Sequence, residues 1–236
     1  MRRLELKRAT YDVDLVARER TDMNIAILTF EGFNELDSLI ALGILNRVKD
    51  RAWRVSLACP TPQVRSMNGV TVAAQCSLEE AVEADAVIVG SGRLTRDVVR
   101  DSSLMARLVL DPSRQLVGAQ CSGTLVLAKL GLLEAVPACT DLTTKPWVEE
   151  AGVDVVNQPF VANGNVATAG GCLASQYLAA WVIARLAGID AARDAVGYVA
   201  PVGEKDEYVD RMVRNVGPYL DPASGRHPIP ARDVSR

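Results

Sequence analysis

From Asn24 onward the chain alternates short, continuous apolar runs with longer stretches in which apolar residues recur every three or four positions. Asn24–Phe30 predicts a buried strand. Glu35–Val48 predicts a helix with Leu36, Leu39, Ile40, Gly43 and Ile44 on its apolar stripe. Trp53–Ala58 reads as the second strand, and Val64–Ala74, interrupted at Asn68-Gly69, as a hairpin. Ser77 and Glu80 have the spacing of a capping box and so open a helix. Asp85–Val89 and Leu116–Ala119 are further strands, with Arg96–Leu110 helical between them. Leu125–Leu133 and Thr143–Ala151 predict helices, and Val155–Thr168 two strands around Asn163-Gly164-Asn165. Cys172–Leu186 is almost wholly apolar and predicts a buried helix, followed by helices at 190–199 and 204–216.

Strand–helix alternation with continuously apolar strands predicts an α/β fold. The expected architecture is a three-layer sandwich: a mostly parallel, flavodoxin-like sheet with helices on both faces. Residues 1–22 are charge-rich and stand apart as an N-terminal extension, expected to be flexible. One domain is expected over 23–220, with a loose Pro- and Gly-containing tail at 221–236.

Composition narrows the function. The formal net charge is −3 and there is no basic stripe, which argues against a nucleic-acid partner. No apolar run reaches the ~20 residues needed to cross a bilayer, and the N-terminus lacks the apolar core of a signal peptide. A cytoplasmic protein with no membrane partner is expected. The five cysteines are scattered rather than spaced as a disulfide framework or zinc site, and His227 is the only histidine. Neither metal nor cofactor is expected.

One segment carries the chemistry. Gln120-Cys121-Ser122-Gly123-Thr124 joins an apolar strand to an apolar helix, the context of a nucleophile elbow. A free cysteine is most often a small buried hydrophobe. Cys121 differs by position: a sharp turn is expected to expose its sulfur, and the helix behind it to favour thiolate. Cys172, which opens a helix after Ala169-Gly170-Gly171, is the only other candidate. Ligands of parallel sheets sit at strand carboxyl ends. Two more segments reach that rim: Glu35 and Asp37 after the first strand, and the turn Gly90-Ser91-Gly92. A thiol, a carboxylate and backbone donors are the parts needed for addition to an electrophilic carbon.

Residues Gly118–Leu133 resemble the corresponding element of the ThiJ/PfpI superfamily, within the class I glutamine amidotransferase-like fold, and in particular its isonitrile hydratase branch. Phe30–Asp37, Thr143–Trp147 and Asn163–Gly171 resemble three further motifs of that branch, in the same order. The resemblance implies Cys121 as nucleophile and Asp37 as the carboxylate handling protons. It implies an anion-stabilising pocket from the N–H groups of Ser122 and of Ser91 or Gly92, with Gly90 and Thr124 on the same two loops. Glu35 and Trp147 are further site candidates. The implied activity is a cysteine-dependent small-molecule hydratase or lyase converting an isonitrile to an N-substituted formamide. The alternatives are a redox- or electrophile-sensing protein without turnover, or a ligand-binding domain. With no histidine near Cys121, protease and amidotransferase activities are disfavoured. A small-molecule partner is implied, and homodimers are usual among proteins of this resemblance.

Overall fold

The computed structural model describes residues 22–50 and 52–220. The expected flexible extension, apart from Asp22, and the expected loose tail from 221 onward lie outside the described residues. In chain order the elements are β1 (Met23–Leu28), α1 (Glu35–Leu45), β2 (Trp53–Ala58), β3 (Gln63–Arg65), β4 (Thr71–Ala73), α2 (Leu78–Ala81), β5 (Ala86–Val89), α3 (Thr95–Val98), α4 (Ser102–Met105), β6 (Leu116–Gln120), α5 (Gly123–Lys129), α6 (Lys145–Glu150), β7 (Phe160–Asn163), β8 (Val166–Ala169), α7 (Ser175–Ala187), α8 (Ile189–Val199) and α9 (Lys205–Val216).

Six strands form one sheet in the order β2-β1-β5-β6-β8-β7. All neighbours are parallel except the hairpin pair β7 and β8. Successive strand side chains point to opposite faces, so β1 feeds two cores. Ile25 and Ile27 pack with α1, α7, α8 and α9, while Ala26 and Leu28 pack with α2 and α5. This is the three-layer, flavodoxin-like α/β arrangement that the hydrophobic pattern predicts. β3 and β4 form a separate hairpin around Asn68-Gly69, where Gly69 takes φ 97°.

Three local expectations are corrected. The run Arg96–Leu110 is not one helix: Asp101 accepts from the amides of Ser103 and Leu104, both at 3.0 Å, and starts α4 anew after α3 ends. Val155 makes only an isolated bridge to Ala138, and β7 begins at Phe160, after Pro159, which has no N–H to give a ladder. Most important for function, α1 buries only part of its predicted stripe. Its buried residues are Asp37, Ser38, Ala41, Ile44 and Leu45, while Leu36 and Leu39 are exposed. The helix is turned so that a carboxylate faces inward.

β1 and β5 are neighbours, with β2 on one side of the pair and β6 on the other. Chain order reverses between β1 and β5, which is the switch point where open α/β sheets bind ligands. The loop after β1, the turn after β5 and the elbow after β6 all open on this edge.

Candidate functional site

Cys121 follows β6 directly and has φ 45°, one of two non-glycine residues in the left-handed region among those described. Such a conformation costs free energy and persists only where neighbours hold it. The Cys121 N–H donates to the Ala169 carbonyl at 2.8 Å. The Cys121 carbonyl accepts from the Thr140 hydroxyl at 2.8 Å and from the Thr124 N–H at 3.1 Å. Gly123 lets α5 press on β5: a Cβ there would lie 2.4 Å from the Val89 carbonyl oxygen. The elbow is present as the sequence predicts.

The sulfur is not exposed as expected, because Cys121 is 4 % accessible. Burial, followed by the charge of Asp37, pushes its pKa upward. The short helix α5 does not reverse this direction, so the site favours the thiol over the thiolate.

Asp37 is fully buried, and burial raises its pKa from 3.8 to about 6, against the opposing pull of hydrogen bonds from Ser91 and Ser38. Ser91 Oγ donates to Asp37 Oδ2 at 2.5 Å and Ser38 Oγ to Oδ1 at 3.3 Å. Asp37 Oδ, Cys121 Sγ and Cys172 Sγ all lie within 4.8 Å of one another. Burial favours the protonated form of each, and at this separation the two groups titrate as a coupled pair in which the carboxyl ionises before the thiol.

Two residues tie this group together that sequence reasoning gave no role. Asn34 is the N-cap of α1: its Oδ1 accepts from Leu36 N–H at 3.1 Å. Its Nδ2 donates to Asp37 Oδ2 at 3.3 Å and to Cys172 Sγ at 3.1 Å. Gln120 Nε2 donates to Cys121 Sγ at 3.4 Å and to the Gly171 carbonyl at 3.0 Å. The signal for Gln120 was a polar residue ending an otherwise apolar, buried strand. For Asn34 it was an N-cap type just before the acidic first turn.

The other predicted residues are placed as follows. Ser122 Oγ accepts from Gly92 N–H at 3.0 Å and shares a 2.8 Å hydrogen bond with Thr95 Oγ1. The Ser91 N–H serves the Asp37 carboxylate and the Gly90 N–H the Leu28 carbonyl. The three amides of the Gly90-Ser91-Gly92 turn therefore hold the site together and are not left open for an anion. Thr124 is buried and donates to the Cys139 carbonyl at 2.8 Å, a structural tie. Glu35 turns to Ser66 and Asn68 and stands apart from the Asp37–Cys121–Cys172 group. Trp147 lies on α6 with the Arg96 guanidinium over its ring at 4.8 Å. Cys172, in the 3₁₀ turn Cys172–Ala174, is half-buried and lines a groove of about 820 Å³ with Gly170 and Gly171.

The fold is a doubly wound α/β sheet whose switch-point edge carries a cysteine elbow beside a buried carboxylate. The chain belongs to the DJ-1/PfpI family, whose sequence model matches residues 23–185. No curated sequence relative matches it. Among solved structures it is similar to a THiJ/PfpI family protein from Pseudomonas syringae, at 16 % identity, TM-score 0.68, covering 93 % of this chain and 98 % of that one. It is similar to Schizosaccharomyces pombe DJ-1, at 17 % identity and TM-score 0.65, over 76 % of this chain and 100 % of that one. It also resembles the oxidised form of Toxoplasma gondii DJ-1, at 20 % identity and TM-score 0.64, over 75 % and 97 % of the two chains. At these identities the likenesses establish the fold.

Proposed function

We propose that the protein is a cysteine-dependent hydratase of small molecules with a terminal electrophilic carbon, an isonitrile being the leading substrate class. The observation that carries this reading is the buried Cys121 thiol placed within 4.8 Å of the buried Asp37 carboxyl. Addition to an isonitrile, R–N≡C, puts one sulfur and one hydrogen on the same carbon. A thiol beside an ionised carboxylate supplies both. Asp37 takes the Cys121 proton as sulfur attacks the terminal carbon, and returns it to that carbon, giving R–N=CH–S–Cys121. Water then adds to the carbon, the C–S bond breaks and the nitrogen takes a proton. The products are the formamide R–NH–CHO and the restored thiol, so the net reaction is hydration.

The buried thiol suits this chemistry, because a neutral, linear isonitrile needs no fixed cation to bind. The test is incubation of purified protein with a panel of alkyl and aryl isonitriles, with the formamide measured by mass spectrometry. Turnover is expected in the native protein and absent from Cys121→Ser and Asp37→Asn. Formamide formation undiminished in Cys121→Ser would overturn the reading. No turnover on any isonitrile would leave a sensing role for the thiol.

A further inference from the structure

The five cysteines are scattered in sequence, yet folding brings two of them and a carboxylate to one point. We propose that Cys121, Cys172 and Asp37 form a binding site for a thiophilic divalent cation of the Zn²⁺ type, with two sulfur ligands, one carboxylate oxygen and an open fourth position. The three donor atoms lie within 4.8 Å of one another. Tetrahedral zinc, with Zn–S about 2.3 Å and Zn–O about 2.1 Å, separates sulfur from sulfur by about 3.8 Å and sulfur from oxygen by about 3.5 Å, so the donors need close by no more than about 1.3 Å. Side-chain torsions of the half-buried Cys172 can supply that movement.

The surroundings favour a cation. The charged and ionisable neighbours acting on the Cys121 sulfur are Asp37, Cys172 and Asp141, all acidic. The only histidine, His227, lies outside the described residues. Each donor atom also has an outer partner that orients it, as metal ligands require. Gln120 Nε2 holds Cys121 Sγ, Asn34 Nδ2 holds Cys172 Sγ, and Ser91 and Ser38 hold the two oxygens of Asp37. Gln120 Oε1 is buried with no partner among the described residues, an acceptor left for a water carried in the fourth position. A groove lined by Gly170, Gly171 and Cys172 reaches the donor set at Cys172.

The donor set selects the ion. Two sulfurs exclude Mg²⁺ and Ca²⁺, and the carboxylate oxygen favours Zn²⁺ over Cu⁺. Because the ion takes the sulfur of Cys121, it would hold that thiol out of any covalent reaction.

Co²⁺ serves as the spectroscopic probe, added to full-length protein stripped by chelator and kept reduced with a phosphine. The expected result is one equivalent bound, with a thiolate-to-cobalt charge-transfer band and the intense visible bands of tetrahedral cobalt. Cys172→Ser and Cys121→Ser should each weaken binding about a hundredfold or more, and Asp37→Asn about tenfold. Cys59→Ser should change nothing, since Cys59 is buried against the Thr29 hydroxyl. Melting temperature checks that each variant is folded. Absence of the charge-transfer band in the native protein overturns the proposal without recourse to variants. So does a band that survives Cys172→Ser or disappears in Cys59→Ser. The hydratase reading is tested separately on chelator-stripped, cobalt-free protein: turnover there with no band on adding cobalt overturns the cation site alone, and a band with no turnover in the stripped protein overturns the hydratase alone.

Discussion

The Cys121 sulfur and the Asp37 carboxylate lie buried within 4.8 Å of each other, and burial pushes both pKa values upward. With the carboxylate ionised above pH ~6, like-charge repulsion opposes a second negative charge on sulfur. Alkylation of Cys121 by iodoacetamide should therefore climb by about tenfold per pH unit up to pH ~9 without a plateau, because reaction requires thiolate. Asp37→Asn removes the repelling charge and should speed labelling at pH ~8 by about tenfold. Peptide mapping of the labelled sites measures both. A plateau near neutral pH would show a thiol already ionised at rest.

The same pair sets a pH dependence on turnover. The addition step needs Asp37 as carboxylate and Cys121 as thiol. Formamide production should fall as pH drops through about 6 and Asp37 takes up a proton, and should hold steady through neutral pH. A rate independent of pH between ~5 and ~7 would remove Asp37 from the proton path.

Asp37 also bears on stability. Its folded pKa is raised from 3.8 to about 6, so between these values the folded state binds more protons than the unfolded one. Stability contributed by this group falls as pH rises through that window, and at neutral pH the buried charge costs about 2–3 kcal/mol. Asp37→Asn should therefore melt higher than the native protein at pH ~7.5. The advantage should shrink by about half at pH ~5, where the native carboxyl is largely protonated in the fold. Melting curves of the two proteins at both pH values decide it. A variant that melts lower at pH ~7.5 would mean that the lost hydrogen bonds outweigh the relieved charge.

Much of this arrangement is legible in the sequence because its causes are local. β1, β5 and β6 announce themselves as continuous apolar runs, since strands covered on both faces have no polar side. Ser77 and Glu80 close the reciprocal cap that their spacing predicts, with Ser77 N–H to Glu80 Oε2 at 2.8 Å and Glu80 N–H to Ser77 Oγ at 3.1 Å. The Cys121 turn follows from a strand meeting a helix. What was not legible depends on long-range placement. The rotation of α1 runs against its own hydrophobic stripe, exposing Leu36 and burying Asp37, because the carboxylate is held by Ser91 from a loop 54 residues away. The burial that raises the pKa of Cys121 depends on parts of the fold distant in sequence, Asp37 and Cys172 among them, whereas helix-end reasoning sees only the segment behind it. Cys172 stands out as a residue opening a helix, but its meeting with Cys121 requires β6 and β8 to be sheet neighbours.

Asn34 does two jobs with one amide, and they can be separated. Its oxygen caps α1 and its nitrogen bridges Asp37 and Cys172. Asn34→Ser keeps a capping hydroxyl and removes the bridge. The fold should lose less than about 1 kcal/mol, while the acid limb of the turnover profile should move to higher pH, since Asp37 loses the Asn34 amide that donates to its carboxylate. Asn34→Ala should add the cost of the cap, about 1 kcal/mol more. An unmoved acid limb in Asn34→Ser would show that the contact to Asp37 is structural only.

Gly123 tests whether the elbow depends on close packing behind it. A methyl at this position would meet the Val89 carbonyl oxygen at 2.4 Å and the Gly90 carbonyl oxygen at 3.0 Å. Both are backbone atoms of β5 and its turn, so neither can rotate away. To relieve the clash, α5 must lift from β5, and Cys121, held at φ 45° by the strand on one side and the helix on the other, must move with it. Gly123→Ala should destabilise the fold by about 2–3 kcal/mol, an overpacking cost, despite alanine's better helix propensity. A methyl added at Gly43, inside α1, would have nothing within 4 Å, so Gly43→Ala should instead stabilise by about 0.5–1 kcal/mol. Denaturant titrations of the two variants give opposite signs if packing decides the outcome. If Gly123→Ala is as stable as the native protein and Cys121 still labels at the native rate, the elbow does not depend on the contact between α5 and β5.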